Sequence, residues 1–386
     1  MHTVIVGGGF AGVKTALELA KRRTGKITLI SDKPYFLYHA ALYATATGSN
    51  PEESAIDLAD IFADYNSVNI VKDTIIALDP ARNMVISKKG SYVYDTLVLA
   101  LGSVTSFLDT SGIQGSSFGV KTLEEIHKFH QHIKNEMIKD RHLDKNYVIV
   151  GGGPTGVELA GVLAPYIQKV TQKHMLKRAR VHVQLVEAKN RLLPALSKSA
   201  SSIIKQRLEK IGVKVILGRR VRSFDRTHIT LDGRKIPTKT VIWTAGQEIN
   251  PFFKNNPEYF DITESGKVVV NPYLEAYRDI YVLGDCAEVK GSGTAPAALR
   301  MGTYLAKHLE RKLVGSPLRP YRPRRSPVTI PVGDNWAYVE CLNIYTKGRL
   351  GHVMRRRFEL SAYRQILPES QARAAWSAHN IKNMSE

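Results

Sequence analysis

The chain has 386 residues, 43% of them hydrophobic, enough to bury two or three cores and too apolar for a disordered protein. Its 55 Lys and Arg against 35 Asp and Glu give a formal charge of +20, which suits an anionic surface such as lipid or nucleic acid. Cys286 and Cys341 are the only cysteines, which excludes a disulfide framework and suits a reducing cytoplasm, and no run of about 18 apolar residues is present to span a bilayer.

Val4-Ile5-Val6 is a β-branched run that predicts a buried parallel strand, and with the strand starting by Thr3 no cleavable signal is expected ahead of it. It runs into Gly7-x-Gly9-x-x-Gly12, after which Val13 to Ala20 repeats apolar side chains at helical spacing. In such a loop the first glycine makes the tight turn, the second lets a pyrophosphate approach the backbone, and the third lets helix pack on strand. The free N–H groups at the helix start then bind phosphate. A second strand, Lys26 to Ile30, ends in Ser31-Asp32, and Asp32 stands about 20 residues past Gly12, near the spacing of an acid that takes ribose hydroxyls.

The same sequence of signals recurs. Tyr147 to Val150 predicts a strand leading into Gly151-x-Gly153-x-x-Gly156, and Val157 to Ala164 continues as helix. The next strand, Val181 to Val186, ends at Glu187, farther from its loop than the usual ~20 residues. A polar, basic connection at 172–180 absorbs the excess. A carboxylate there accepts both ribose hydroxyls and repels a 2′-phosphate, so Glu187 favours NADH over NADPH, while Lys189 and Arg191 close behind it pull the other way. Glu158, just inside the helix, is either a dipole-stabilising carboxylate or a catalytic or nicotinamide contact. Two such loops in one chain imply two dinucleotides held side by side. Farther on, Asp279 to Leu283 predicts a strand terminating in Gly284-Asp285, where an Asp can accept a hydrogen bond from the ribityl chain of a flavin.

With these come Leu42 to Gly48, Tyr94 to Ser103, Phe118-Gly119-Val120-Lys121-Thr122-Leu123, Val186-Glu187-Ala188, Arg191 to Pro194, Val241 to Gly246 and Leu283 to Ala287. On these motifs the chain, over roughly its first 315 residues, resembles the FAD-dependent pyridine nucleotide-disulfide oxidoreductases, and within them the type II NADH:quinone oxidoreductases. The resemblance implies an α/β protein of two Rossmann-like dinucleotide-binding domains plus a small C-terminal domain. The expected boundaries are 1–115 with 265–318 for FAD, 116–264 for NADH, and 319–386 for membrane or dimer contact. It implies that Gly7, Gly9, Phe10, Ala11, Gly12, Ser31, Asp32, Gly102, Asp285 and Ala295 serve FAD, and that Gly151, Gly153, Gly156, Glu187 and Gly246 serve NADH, with Glu158 catalytic. The family's ribose-binding acid directly follows the strand, where this chain has Ser31 and places Asp32 one later. The implied reaction passes a hydride from NADH to FAD and two electrons on to a membrane quinone, without proton pumping.

The cysteines narrow the chemistry. No Cys-x₄-Cys follows the first loop, none lies near residue 42, and Cys286 reads as a small buried residue, so flavin alone is expected to carry the electrons. No Cys/His set has metal spacing, and no metal is expected. One departure concerns the electron acceptor: where the family carries an Ala-Gln…Gln-Gln-Gly segment, this chain has Thr294 to Gly302, with Pro296, Arg300 and Met301 in place of the glutamines. An NAD(P)H oxidase or reductase of a soluble acceptor stays open on that account. A redox-sensing flavoprotein with nucleic-acid affinity rests only on the charge. The basic clusters do not interleave with aromatics, so no nucleic acid is expected.

Arg319 to Pro327 reads as a boundary, followed by strands at Val328 to Ile330 and Trp336 to Val339. In Arg355 to Leu367, Phe358, Ala362 and Ile366 with Leu360, Tyr363 and Leu367 predict an apolar helix face under an arginine cluster; Ala372 to Trp376 is a weaker second piece. Such a stripe fits a peripheral helix on an anionic membrane, at the cytoplasmic inner face, or a homodimer contact.

Overall fold

The computed structural model describes residues 1–48, 53–138, 144–173, 181–342 and 344–378. Most of the basic connection at 172–180 and the last part of the C-terminal segment, 379–386, lie outside the described residues.

Two Rossmann-like units are built on one plan. The first opens with β1 (His2–Val6), α1 (Phe10–Lys21), β2 (Lys26–Ser31), β3 (Val68–Lys72) and β4 (Thr96–Leu99). The second has α2 (Leu123–Ile138), β5 (Asn146–Val150), α3 (Pro154–Lys173), β6 (His182–Val186), α4 (Lys198–Lys210), β7 (Val213–Ile216) and β8 (Thr240–Trp243). The chain then returns to the first sheet with β9 (Glu275–Tyr277), β10 (Ile280–Val282) and α5 (Ala295–Leu313). The first sheet runs β9-β10-β4-β1-β2-β3, parallel except for β9, and the second runs β7-β6-β5-β8, all parallel.

The repeat reaches beyond the glycine loops. In each unit a three-stranded antiparallel meander, 75–93 in the first and 221–237 in the second, separates the third parallel strand from the fourth. After the fourth strand each unit extends a short strand, and Ser103–Thr105 pairs antiparallel with Gln247–Ile249 to join the two units. Gly102 and Gly246 stand just before these strands, both in the left-handed region at φ +65 and +75.

The strands are buried because helices cover the sheets. All five residues of β5 are buried, as are Val4, Ile5 and Val6 of β1. The loop glycines are fixed by close approach. A Cβ on Gly12 would collide with Gly7 O, and one on Gly156 would collide with Gly151 O. Helix α5 settles on α1 through Gly302, where a Cβ would lie 2.8 Å from Ala11 O.

The C-terminal segment forms β11 (Val328–Pro331), β12 (Ala337–Cys341) and β13 (Ile344–Gly348), an antiparallel sheet, then α6 (Arg349–Tyr363) and α7 (Glu369–Ala378). It bridges both units. Ile330, Val332 and Tyr338 enter the core of the second unit, where a Cβ on Gly161 of α3 would lie 2.9 Å from Gly333 N. Tyr363, Ile366, Leu367, Ala372 and Ala375 enter the core of the first.

This placement corrects the expected interfacial face. Tyr363, Ile366 and Leu367 are buried, and so are Arg355 and Arg356; of the cluster only Arg357 and Phe358 are exposed. The reason is Glu359, three and four residues on, which ion-pairs with both guanidiniums: its Oε2 lies 2.8 Å from Arg356, and its Oε1 contacts Arg355. Neutralised in this way, the cationic stripe turns inward. Arg356 also lies 4.4 Å over the Trp376 ring, whose Nε1 donates to Arg356 O at 2.8 Å.

Breaking a buried pair costs about 3–5 kcal/mol, whereas replacing it whole with apolar residues is neutral or stabilising. Glu359→Gln is therefore expected to lower the unfolding free energy by about that amount, and Arg355→Met/Arg356→Met/Glu359→Leu to return it to at least the starting value. Equilibrium urea unfolding checks both.

Candidate active site at the junction of the two units

Each sheet changes winding direction at its first strand, and the crevice beyond the strand ends there is where open α/β sheets take ligands. In the first unit Val6 pairs with Ile30 on one side and Leu99 on the other, so Gly7 and Ala100 to Gly102 leave the sheet together. Gly7 (φ +116) donates its N–H to Ile30 O at 2.8 Å. A Cβ on Gly9 would meet nothing within 4 Å, which is the open approach a phosphate needs. Phe10 and Ala11 start α1, which has neither a capping side chain nor an acid in its first turn, so its N–H groups point free into the crevice. Ala295 starts α5 under the same conditions, and half-buried Asp285 lies just beyond β10. The residues present thus fit a dinucleotide: a Gly cradle, two uncapped helix starts and one carboxylate.

The second crevice matches it. Gly153 is open on the Cβ side, and Gly151 (φ +114) donates to Val186 O at 2.8 Å. Register gives the equivalences: Ile30 opposes Val6 as Val186 opposes Val150, so Ser31 occupies the position of Glu187. Glu187 Oε2 accepts from Gly152 N at 2.6 Å and Oε1 from Lys189 N at 2.7 Å, which aims the carboxylate at the loop. Ser31 is buried with its Oγ over Gly8, and Asp32 is exposed one residue beyond. Gly246 lies against the link, where a Cβ would be 2.5 Å from Ser106 O.

Between the crevices lies a charged recess. The short helix Leu42–Thr45 carries Tyr43 against α3, and the Arg355 guanidinium donates to the Tyr43 hydroxyl with its charge 5.5 Å over the ring. Glu158, one turn into α3, faces this group. Desolvation in the recess, opposed by Arg355 and reinforced by Glu359, pushes its carboxyl up to about 8. Enclosure and the same carboxylates push the Tyr43 hydroxyl up, against Arg355. Tyr43, Arg355 and Lys121 were not among the expected site residues. The spacing of Arg355 to Glu359 was the available signal for an inward-facing pair.

Two substitutions in the segment 294–302 turn away from the crevice. Met301 is fully buried with Sδ 3.2 Å from Gly284 N, and Arg300 donates to Arg324 O at 2.8 Å and Ser326 Oγ at 2.7 Å, strapping the linker to α5. Cys286 is buried, its Sγ donates to Gly102 O at 2.9 Å, and burial pushes its thiol up to about 12. Such a thiol is inert at neutral pH.

Comparison with known proteins agrees with this architecture. The type II NADH:quinone oxidoreductase Ndh of Mycobacterium tuberculosis is 28% identical over 345 residues, 82% of this chain and 73% of that one. The Staphylococcus saprophyticus type II NADH:quinone oxidoreductase is 25% identical over 81% of this chain and 83% of its own. In structure, NDH2 from Plasmodium falciparum in complex with NADH superposes with a TM-score of 0.87 at 15% identity, covering 100% of this chain and 98% of the other. The sulfide:quinone oxidoreductase of Aquifex aeolicus superposes at 0.79 with 18% identity, over 98% and 91%. The sequence profile of the pyridine nucleotide-disulphide oxidoreductases matches residues 1–302, and the chain belongs to that family.

Proposed function

We propose that the chain is an FAD-dependent NADH:quinone oxidoreductase of the type II class. The observation that carries this reading is the pair of dinucleotide crevices meeting at a recess that holds Glu158 and no reactive thiol. We take 1–115 with 265–318 as the FAD unit, 116–264 as the NADH unit and 319–386 as the contact unit. Gly7, Gly9, Phe10, Ala11 and Gly12 would hold the FAD pyrophosphate, with Ser31 and Asp32 at the adenosine ribose and Gly102, Asp285 and Ala295 along the flavin end. Gly151, Gly153 and Gly156 would hold the NADH pyrophosphate, Glu187 its ribose hydroxyls, and Gly246 the nicotinamide end. When bound, FAD supplies a two-electron carrier between nicotinamide and quinone. The protein's part is largely to hold the rings in a near-attack arrangement and keep water out.

Quinone reduction consumes two electrons and two protons, and Glu158 is built to supply a proton. With its carboxyl at about 8 it is neutral at physiological pH, and Tyr43 and Arg355 define the wall beside it. Proton transfer from a placed acid contributes about 10²–10⁴-fold. Arg300 and Met301, turned away from the crevice, favour a second reading with a soluble acceptor; oxygen uptake faster than anaerobic quinone reduction would select it.

Among the described residues no helix is long and apolar enough to cross a membrane. The outer face of the C-terminal unit supports peripheral attachment at the inner face of the cell membrane. Leu342 and Ile344 are 77% exposed at the hairpin, Leu350, Val353 and Phe358 are exposed along α6, and Lys347, Arg349 and Arg357 in the same stretch are exposed too. Exposed apolar and cationic side chains together suit an anionic bilayer.

As purified, the protein is expected to show flavin absorption that bleaches on anaerobic addition of NADH and more slowly with NADPH; a colourless chain that cannot be loaded with FAD would end the reading. Glu158→Gln should cut quinone reduction by about 10²-fold and remove a fall in rate above about pH 8, where the native carboxyl loses its proton. The native carboxyl also binds its proton more tightly than an unfolded one near 4.5. Its contribution to stability is therefore full below that value and lost as pH rises through about 8, a slope that thermal melts of Glu158→Gln should lack. Flotation with anionic liposomes is expected for the intact chain and weakened by Ile344→Glu/Leu350→Glu; an intact chain that stays with the soluble fraction rules out the attachment.

A further inference from the structure

Lys121 stands outside both glycine loops, just ahead of α2, and its main chain is held rigidly. Its N–H donates to Glu125 Oε2 at 2.7 Å, the same oxygen accepts from Thr122 N at 3.1 Å, and a Cβ on neighbouring Gly119 would collide with that carboxyl. Val120, the preceding residue, is buried in the same core as Leu42 and Tyr43. The Lys121 Nζ is enclosed and makes no hydrogen bond. Enclosure works against its charge, while the carboxylates of Asp285 and Glu125 support it. Asp285 belongs to the first unit, so the buried ammonium lies within electrostatic reach of the carboxylate at that unit's strand ends.

His39, an exposed residue of the first unit, lies within electrostatic reach of both Asp285 and Lys121. Lys121 and His39 thus both act on Asp285, which the flavin reading sets at the ribityl end, and Val120 beside Lys121 packs in the core that holds Tyr43. An ammonium with three donors and no acceptor is unfavourable in an enclosed site, and a bound group that brings acceptors or negative charge relieves it. Arg355, the other buried cation near this recess, is already matched to Glu359.

We propose that Lys121 faces the isoalloxazine of bound FAD and holds the negative charge that the ring gains on reduction. This rests on the FAD reading above. When bound, FAD would take a hydride from NADH, two electrons with one proton, releasing NAD⁺ and leaving the reduced ring with one negative charge for the Lys121 ammonium to face. Its role is to make the reduced flavin easier to form by placing a fixed cation where charge develops, in a site shielded from water.

The test is the midpoint potential of the bound flavin, measured by equilibrium dye-coupled reduction of the FAD-loaded protein, together with its affinity for sulfite, which adds to N5 and creates the same ring charge. Lys121→Met is expected to weaken sulfite binding about tenfold and to lower the potential by about 30 mV, the two-electron equivalent of that factor. Lys121→Arg, which keeps the charge, should stay near the native values and guards against a folding defect in the first variant. Flavin-loaded Lys121→Met with unchanged potential and sulfite affinity would overturn the proposal. So would a loss of FAD affinity equal in both oxidation states, which would place Lys121 on the pyrophosphate instead. A native chain that takes up no flavin would remove the FAD reading itself, and this inference with it.

Discussion

The arrangement of the junction depends on one buried ion pair. Arg355 and Glu359 are enclosed between the C-terminal helix and the first unit, and the guanidinium extends to Tyr43. Two charges in such a place are stable only while both are present and hydrogen-bonded. The pair therefore fixes the helix, the helix fixes Tyr43, and Tyr43 forms the wall opposite Glu158. The same contact sets the chemistry of that carboxyl: Arg355 pulls its proton affinity down, Glu359 pushes it up, and desolvation exceeds both. An apolar helix at this position would pack as firmly but leave Glu158 without a nearby cation and the Tyr43 hydroxyl without its donor.

A second constraint is the pseudo-symmetry of the two units. Gly7 and Gly151, Ser31 and Glu187, and Gly102 and Gly246 occupy equivalent positions because the parallel registers are the same. Symmetry brings the two strand ends together at the link, where Ser103 pairs with Ile249. It also exposes the one place where the units differ in kind. The second has a carboxylate at the end of its second strand and the first has a hydroxyl. A carboxylate at that position discriminates between ribose and its 2′-phosphate. A resident cofactor that does not exchange has less need of such discrimination than a substrate that turns over.

The strands and glycine loops were legible in the sequence because their causes are local. A β-branched run, a glycine whose Cβ would strike a carbonyl, and helical spacing afterwards are all written within about 15 residues. The meanders and the link were not, since antiparallel pairing between Ser103 and Ile249 has no local signature. Asp32 illustrates the limit of counting: its spacing from Gly12 suits a ribose acid, yet Ser31 holds the register position, because a strand turns alternate side chains to opposite faces. The face of α6 misled for a different reason. A protein core and a lipid surface demand the same amphipathic stripe. What separated them was Glu359, whose pairing with Arg355 and Arg356 made an inward arginine cluster possible.

That helix also explains how an unusual acceptor segment can coexist with the family's chemistry. Met301 belongs to the core and Arg300 to the linker, so α5 contributes few polar side chains toward an acceptor. The polar groups gather instead on the opposite wall, from Tyr43, Glu158 and Arg355. Arg355 sits on the inner face of α6, while Leu350, Val353 and Phe358 lie exposed on its outer face. One 15-residue helix thus carries both the charge that borders Glu158 and an exposed apolar face. On the proposed attachment, an acceptor dissolved in the membrane would enter beside the docked helix, so docking and acceptor recognition would be two faces of a single packed element.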